Sequence, residues 1–308
     1  MPKNRVLRTL RHRFVSDGMR VTRVLMRRLP YPTAVALGAW FGKQTFWMLR
    51  TERRKAIAHL TQAFGREKSP GEIHELARAV FANAGRASVE GMFFPYWSKE
   101  FLGRWISSVN PEPALALQRE GRGFVVMTGH FGNWEMMGAY AVNVLGLNLG
   151  VIARRLSNPR LDQMMNEFRE QIGLKVFLRG ERASNFFRHL KGGGQIAILG
   201  DQAIRRIDGI FVDFFGHPAH TASGPAELIL RSRSPWFFAV LIRQPDGLSH
   251  QLHWEGPLAV PDGQDHETRI RRLVEEYNRR MEEMIRRYPA QWMWMHNRWK
   301  RKPRKSEE

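Results

Sequence analysis

The stretch Gly123–Tyr140, Gly-Phe-Val-Val-Met-Thr-Gly-His-Phe-Gly-Asn-Trp-Glu-Met-Met-Gly-Ala-Tyr, constrains this chain more than any other. Phe124–Met127 is a short apolar, β-branched run of the kind that forms a buried strand. Gly129 and Gly132 let the backbone turn sharply. From Asn133 onward Trp134, Met137 and Ala141 recur at helical spacing. Strand, tight turn and helix therefore follow one another, with His130 in the turn and Glu135 in the first helical turn. In an open α/β sheet, ligands bind in the crevice beyond the carboxyl ends of the strands. A carboxylate one helical turn after such a histidine can hold its ring and balance the imidazolium, which makes a general base.

The remainder of the chain supports an α/β sheet. Beyond the centre, Leu149–Ala153, Lys175–Leu178 and Gln195–Leu199 read as strands, separated by helices at Asn158–Ile172 and Arg182–Leu190. Gly192-Gly-Gly194 closes the second of these helices and lacks the Lys-Ser/Thr of a phosphate-binding loop. Gly209–Phe215 reads as a β excursion, Pro225–Arg231 as a helix, Trp236–Ile242 and Gln251–Trp254 as late strands, and Glu267–Arg287 as a long helix. Upstream, Arg53–Phe64 and a helix capped by Ser69 precede a less regular Trp97–Trp105 and a helical Pro111–Gly121. The fold expected is a mixed, mostly parallel central sheet flanked by helices.

Charge is uneven. The chain carries +20, yet residues 1–55 hold 14 Lys/Arg against only Asp17 and Glu52, and residues 298–308 hold six against two acids. Val6, Leu7, Leu10, Phe14, Val21, Val24 and Leu25 recur at helical spacing among these arginines, as in a basic helix lying in a membrane interface. Packing on the domain as a solvated first helix is the alternative. Thr33–Leu49 is apolar, but its longest unbroken run, Ala34–Gly42, falls short of the ~20 residues a span requires. Three parts are expected: a membrane-associating section at 1–55, an α/β domain at 56–297 and a basic tail at 298–308. Trp292, Trp294 and Trp299, set among Arg298, Lys300, Arg301 and Lys302, suit either a core-filling end or the lipid headgroup layer.

With 11 His and 29 acidic residues in the chain, a His-to-acid spacing of five carries little alone, and it recurs at His12/Asp17 and His250/Glu255. The surrounding residues carry more. Thr128-Gly-His-Phe-Gly-Asn-Trp-Glu135 resembles the first motif of the bacterial late acyltransferases of lipid A synthesis, within the lysophospholipid acyltransferase superfamily. The resemblance continues through Ala153-Arg-Arg-Leu-Ser-Asn158, Ile198-Leu-Gly-Asp-Gln202, Phe214-Phe-Gly-His-Pro-Ala219 and Tyr288-Pro-Ala-Gln-Trp-Met-Trp-Met-His296. It implies a glycerolipid acyltransferase-like fold and no cofactor. It also implies transfer of a fatty acyl chain from an acyl carrier protein or coenzyme A thioester to a hydroxyl of a lipid A precursor. A lysophospholipid or glycolipid acceptor is the alternative within the superfamily. The implied location is the cytoplasmic face of the inner membrane, peripheral or monotopic, on an anionic surface.

The absence of Cys and of a Gly-x-Ser-x-Gly elbow argues against a covalent acyl-enzyme and leaves direct transfer. His130 would take the proton of the acceptor hydroxyl and Glu135 would orient the imidazole. Arg154 begins at the end of a strand on the edge shared with His130, and the family's Arg-x-x-x-Asn pattern makes it an anion clamp together with Asn158. Ser157 or Asn158 would otherwise serve as a helix cap. Arg179 follows the next strand and could share the phosphate. Asp201 and Gln202, after the third strand, suit a sugar or glycerol hydroxyl, or a backbone turn. Asp213, His217 and His220 would belong to a loop over the site, with no metal. A non-catalytic membrane-surface protein is the other class open, as is a nucleic-acid binder. Charge lying off the body argues against nucleic acid.

Overall fold

The computed structural model describes residues 17–203, 208–262 and 265–303. Of the expected basic helix, Val6, Leu7, Leu10 and Phe14 lie outside these residues, while Val21, Val24 and Leu25 fall on a described helix and are exposed. Helix α1 (residues 17–27) leads into α2 (Tyr31–Met48), α3 (Arg50–Phe64) and α4 (Pro70–Met92). A capping box starts α4: Glu72 N–H donates to the Ser69 hydroxyl and Ser69 N–H to the Glu72 carboxylate. Helix α5 (Lys99–Trp105), strand β1 (Ile106–Val109) and α6 (Glu112–Arg119) complete the approach to the sheet. The alternation then runs β2 (Phe124–Thr128), α7 (Trp134–Asn143), β3 (Leu149–Ala153), α8 (Pro159–Gln171), β4 (Lys175–Leu178), α9 (Ala183–Lys191) and β5 (Gln195–Leu199). It ends with β6 (Gly209–Phe214), β7 (His217–Ala222), α10 (Gly224–Ser232), β8 (Trp236–Arg243), β9 (His250–Leu258) and α11 (His266–Arg287).

Seven strands form one sheet in the order β1-β9-β8-β2-β5-β3-β4, and only the β8–β9 pair is antiparallel. This is the mixed, mostly parallel arrangement expected. Strands β2 and β8 are wholly buried, because helices cover both faces of the sheet centre. Phe124 and Val126 of β2 face one core, shared with α7, while Val125 and Met127 face another, shared with α11.

Two strands escaped the sequence pattern. Strand β1 is Ile-Ser-Ser-Val, whose serines break any apolar run; pairing with β9 orders it. Strand β7 occupies the region expected to be a loop over the site. It pairs antiparallel with β6 across the two-residue turn Phe215-Gly216, both at positive φ as a hairpin turn with the native strand twist requires. The His217 ring there meets the carbonyl of Gln62, and Arg301 meets the His220 ring.

Helix α2 is no loose appendage. It crosses α4 so closely that a Cβ on Gly85 would stand 2.1 Å from the Gly38 carbonyl oxygen and 2.9 Å from the Gly42 Cα. Tyr31, Ala34, Val35 and Phe46 are buried in this contact and its surroundings. Among the described residues no helix is long and apolar enough to cross a membrane. Trp292, Trp294 and Trp299 are buried, so they fill core and do not meet headgroups. We expect Gly85→Leu to force α2 from α4 and lower the unfolding free energy by about 1–3 kcal/mol, the usual cost of overpacking. Calorimetry of the two proteins measures this.

Candidate active site

Strands β2 and β5 are parallel neighbours with Thr128 opposite Leu199. Equal offsets from that register bring the residues two positions on, His130 and Asp201, side by side at the carboxyl end of the sheet. The His130 N–H donates to Asp201 Oδ2 at 2.8 Å, and ring Nδ1–H donates to Oδ1 at 2.8 Å. Trp292 Nε1–H gives Oδ2 a further bond, also 2.8 Å. Asp201 is 2 % exposed. Burial alone would raise its carboxyl pKa, but the His130 imidazole and these donors hold it down, to about 2. The carboxylate therefore fixes the Nδ1–H tautomer and leaves Nε2 as the proton acceptor. The Trp134 ring also packs against the imidazole, edge to face with the ring centroids 4.8 Å apart.

The turn itself is set by close backbone packing. A Cβ on Gly129 would meet the Asp201 carboxyl carbon at 2.9 Å. Gly132 has φ +58° and lies against the Leu241 carbonyl oxygen, where no side chain fits. Gln291 O accepts from Gly132 N–H (2.8 Å), and His130 O accepts from Met293 N–H (3.1 Å). Asn133 Oδ1 caps α7 through Met136 N–H, and its Nδ2 donates to Glu90 Oε2 at 2.9 Å. Glu90, 0 % exposed, also accepts from both terminal nitrogens of Arg243. The Gln291 side chain binds the Arg243 backbone at 2.8 and 2.9 Å, closing a ring of bonds around the turn.

Glu135, expected beside the His130 ring, is instead paired with Arg169. Its carboxylate accepts from Arg169 Nε at 3.1 Å and from a terminal guanidinium nitrogen. Glu135 opens α7 and faces α8, whereas the site beside Nδ1 is filled by Asp201. Asp201, expected on a substrate hydroxyl or a backbone turn, meets the turn through His130 N–H, and both its oxygens are committed inside the protein. Asn158 Oδ1 accepts from Arg160 N–H at 3.2 Å, the cap that starts α8. Arg154 and Arg179 follow paired residues of β3 and β4, Ala153 and Leu178, and both are exposed. Together with half-buried Gln202 they border a cavity of about 890 Å³ that His130, Glu135 and Arg169 also line. Beneath this polar mouth the cavity runs between the sheet and α7 over Val126, Met137, Leu174, Ala197, Ala239 and Trp254, all buried. Among the described residues there is no cluster of three His, Asp or Glu side chains suited to a metal ion.

Arg169, Trp292, Glu90 and Arg243 were not foreseen. The Ile198-Leu-Gly-Asp strand-end pattern was the available sign that Asp201 reaches the same edge as His130.

Residues 2–301 match the family described as bacterial lipid A biosynthesis acyltransferase. The lipid A biosynthesis lauroyltransferase of Escherichia coli (strain K12) is 27% identical over 282 residues, covering 91% of this chain and 89% of the relative. The phosphatidylinositol mannoside acyltransferase of Mycolicibacterium smegmatis is 26% identical over 237 residues, 75% of each. The lipid A biosynthesis palmitoleoyltransferase of E. coli (strain K12) is 23% identical over 278 residues, 90% of this chain and 88% of the relative.

Burial pulls the imidazole pKa values of His250 and His296 down to about 4. Both are neutral in the folded protein but titrate normally once unfolded, so stability is full above pH ~6.5 and falls as pH drops towards 4. We expect a loss of about 1.4 kcal/mol per pH unit in that window for the fully buried His250 and a smaller one for the partly exposed His296. Urea unfolding at stepped pH measures the slope, which His250→Leu should shallow by half or more.

Proposed function

The chain belongs to the bacterial lipid A biosynthesis acyltransferase family, and from that premise we propose that it moves a fatty acyl chain from a thioester to a hydroxyl of a lipid A precursor. The donor is an acyl carrier protein or coenzyme A thioester. The observation carrying this reading is the His130–Asp201 pair at the mouth of a cavity lined in its depth by buried apolar side chains. His130 Nε2 takes the acceptor hydroxyl proton as its oxygen attacks the thioester carbonyl carbon. The tetrahedral intermediate collapses, the C–S bond breaks, and the departing thiolate takes the proton back from the imidazolium. Asp201 is the group that orients the ring and balances its charge. No protein nucleophile is involved.

The enclosed space under α7 suits the donor hydrocarbon, since each buried methylene contributes about 0.8 kcal/mol. Glu135 acts by holding Arg169, and the pair gives the mouth a fixed guanidinium. Arg154 and Arg179 serve as a clamp for donor or acceptor phosphate, with Gln202 beside them and Asn158 holding the start of α8. The section 1–55 seats the enzyme on the cytoplasmic face of the inner membrane, the α/β domain to residue 297 performs the chemistry, and residues 298–308 add basic charge. Supporting the seat, Trp40, Phe41, Trp47, Met48 and Leu49 are exposed along α2 and its junction with α3, next to exposed Lys43, Arg50 and Arg54. Aromatic rings beside cations suit the headgroup layer.

For the chemistry, we expect His130→Ala and Asp201→Asn each to lower kcat by about a hundredfold to ten-thousandfold with the fold retained. Steady-state transfer by the purified variants decides it; near-normal kcat in His130→Ala would remove it as the base. For the membrane, the full-length protein should float with anionic vesicles. Replacing Trp40, Phe41, Trp47 and Met48 together with Ser should leave it in the soluble fraction. Equal flotation of both proteins would clear α2 of an anchoring role.

A further inference from the structure

His296, the last residue of the stretch that begins at Tyr288, has no part in the chemistry described so far. Its backbone is fastened to the His130 turn, since Met293 N–H donates to the His130 carbonyl at 3.1 Å and His296 N–H to the Met293 carbonyl at 3.2 Å. Its half-buried ring lines the same cavity as His130. Nε2 is shielded from solvent and has no hydrogen-bond partner, which leaves Nδ1 as the ring nitrogen able to meet a ligand. Burial drags the imidazole pKa down to about 4, with the charges of Asp201 and His130 pulling in opposite directions. At neutral pH the ring is therefore uncharged, and too weak a base to compete for a hydroxyl proton. A neutral imidazole carries one proton. An orphaned buried N–H is rarer than an under-satisfied buried acceptor, so the bare lone pair belongs on Nε2 and the proton on Nδ1.

Acyl transfer creates a negative charge that needs donors. As the acceptor oxygen bonds to the thioester carbonyl carbon, the π electrons of that C=O move onto its oxygen, and they return when the C–S bond breaks. Backbone amides commonly hold such an oxyanion, but those of the turn after β2 are spent. His130 N–H is given to Asp201, Phe131 N–H to the Gly129 carbonyl and Gly132 N–H to the Gln291 carbonyl. Building on the acyltransferase reading, we propose that His296 Nδ1–H donates to the thioester carbonyl oxygen and stabilises the oxyanion while His130 holds the hydroxyl proton. Two imidazoles then divide the work according to their surroundings. The one paired with a carboxylate accepts a proton, and the one without a carboxylate lends its own N–H and keeps it.

Asparagine sets an amide N–H near the place of Nδ1, whereas leucine fills similar space and offers no donor. Both variants are made in the full-length enzyme and assayed with fatty acyl thioesters of acyl carrier protein and of coenzyme A, with a lipid A precursor as acceptor. His296→Leu should lower kcat about a hundredfold to a thousandfold, the usual cost of one lost oxyanion donor. KM for thioester and acceptor should stay unchanged, because the bond strengthens only as charge develops. His296→Asn should recover about tenfold or more of the lost kcat. Thermal unfolding shows that each variant is folded, and His296→Ala takes the place of the leucine variant if that one is not. A kcat near that of the unsubstituted enzyme in His296→Leu would overturn the proposal. So would a raised KM at unchanged kcat, or an asparagine variant as slow as the leucine one. His130→Ala, measured in parallel, tells the two readings apart. Slow His130→Ala beside fast His296→Leu sinks the oxyanion role alone, whereas fast His130→Ala sinks the acyl-transfer chemistry and this role with it.

Discussion

An ionised carboxylate cut off from water is costly by several kcal/mol, and the buried Asp201 exists in this fold only because three donors from two other parts of the chain converge on it. The backbone and ring of His130 come from the turn after β2, the carboxylate from the end of β5, and the Trp292 indole from the segment after α11. None of these segments could place its group alone. The same bonds that make the carboxylate tolerable also fix the tautomer of the histidine, so stability and the proposed chemistry rest on one node.

Outside that node lies a second layer. The Asn133 side chain links the cap of α7 to Glu90 on α4, Glu90 is paired with Arg243 at the end of β8, and Gln291 joins Arg243 back to Gly132. Removing one member of a buried ion pair strands its partner, so these positions tolerate little change. Long helix α4 thereby belongs to the site's support even though it contributes nothing to the cavity wall.

Much of this was legible in one dimension. Apolar runs marked β2, β3, β4, β5 and β8, and the glycines around His130 marked the turn. What the pattern lacked was adjacency. Nothing in Ile-Leu-Gly-Asp says that β5 lies beside β2 in register, so the sequence left Asp201 between a substrate hydroxyl and a backbone turn and gave the ring to Glu135. A spacing of five residues on a strand-turn-helix is suggestive, but the register of two parallel strands decided the partner. Strand β1, with its serines, and β7, beyond a two-residue turn, were hidden for the same reason: pairing, not residue preference, makes them strands. The terminal tryptophans were ambiguous because a ring suited to headgroups is equally suited to a core.

The donation from Trp292 has a consequence for the order of events during synthesis. Ribosomes deliver a chain from its amino end, and the His130 turn is finished long before residue 292 emerges. Until then the pocket for Asp201 lacks its third donor, and the carbonyl of His130 lacks the Met293 amide that holds it. The nascent chain thus carries an incomplete His130–Asp201 pair until the segment after α11 has emerged. The pair is complete only when the segment after α11 closes over a site whose other parts have been waiting.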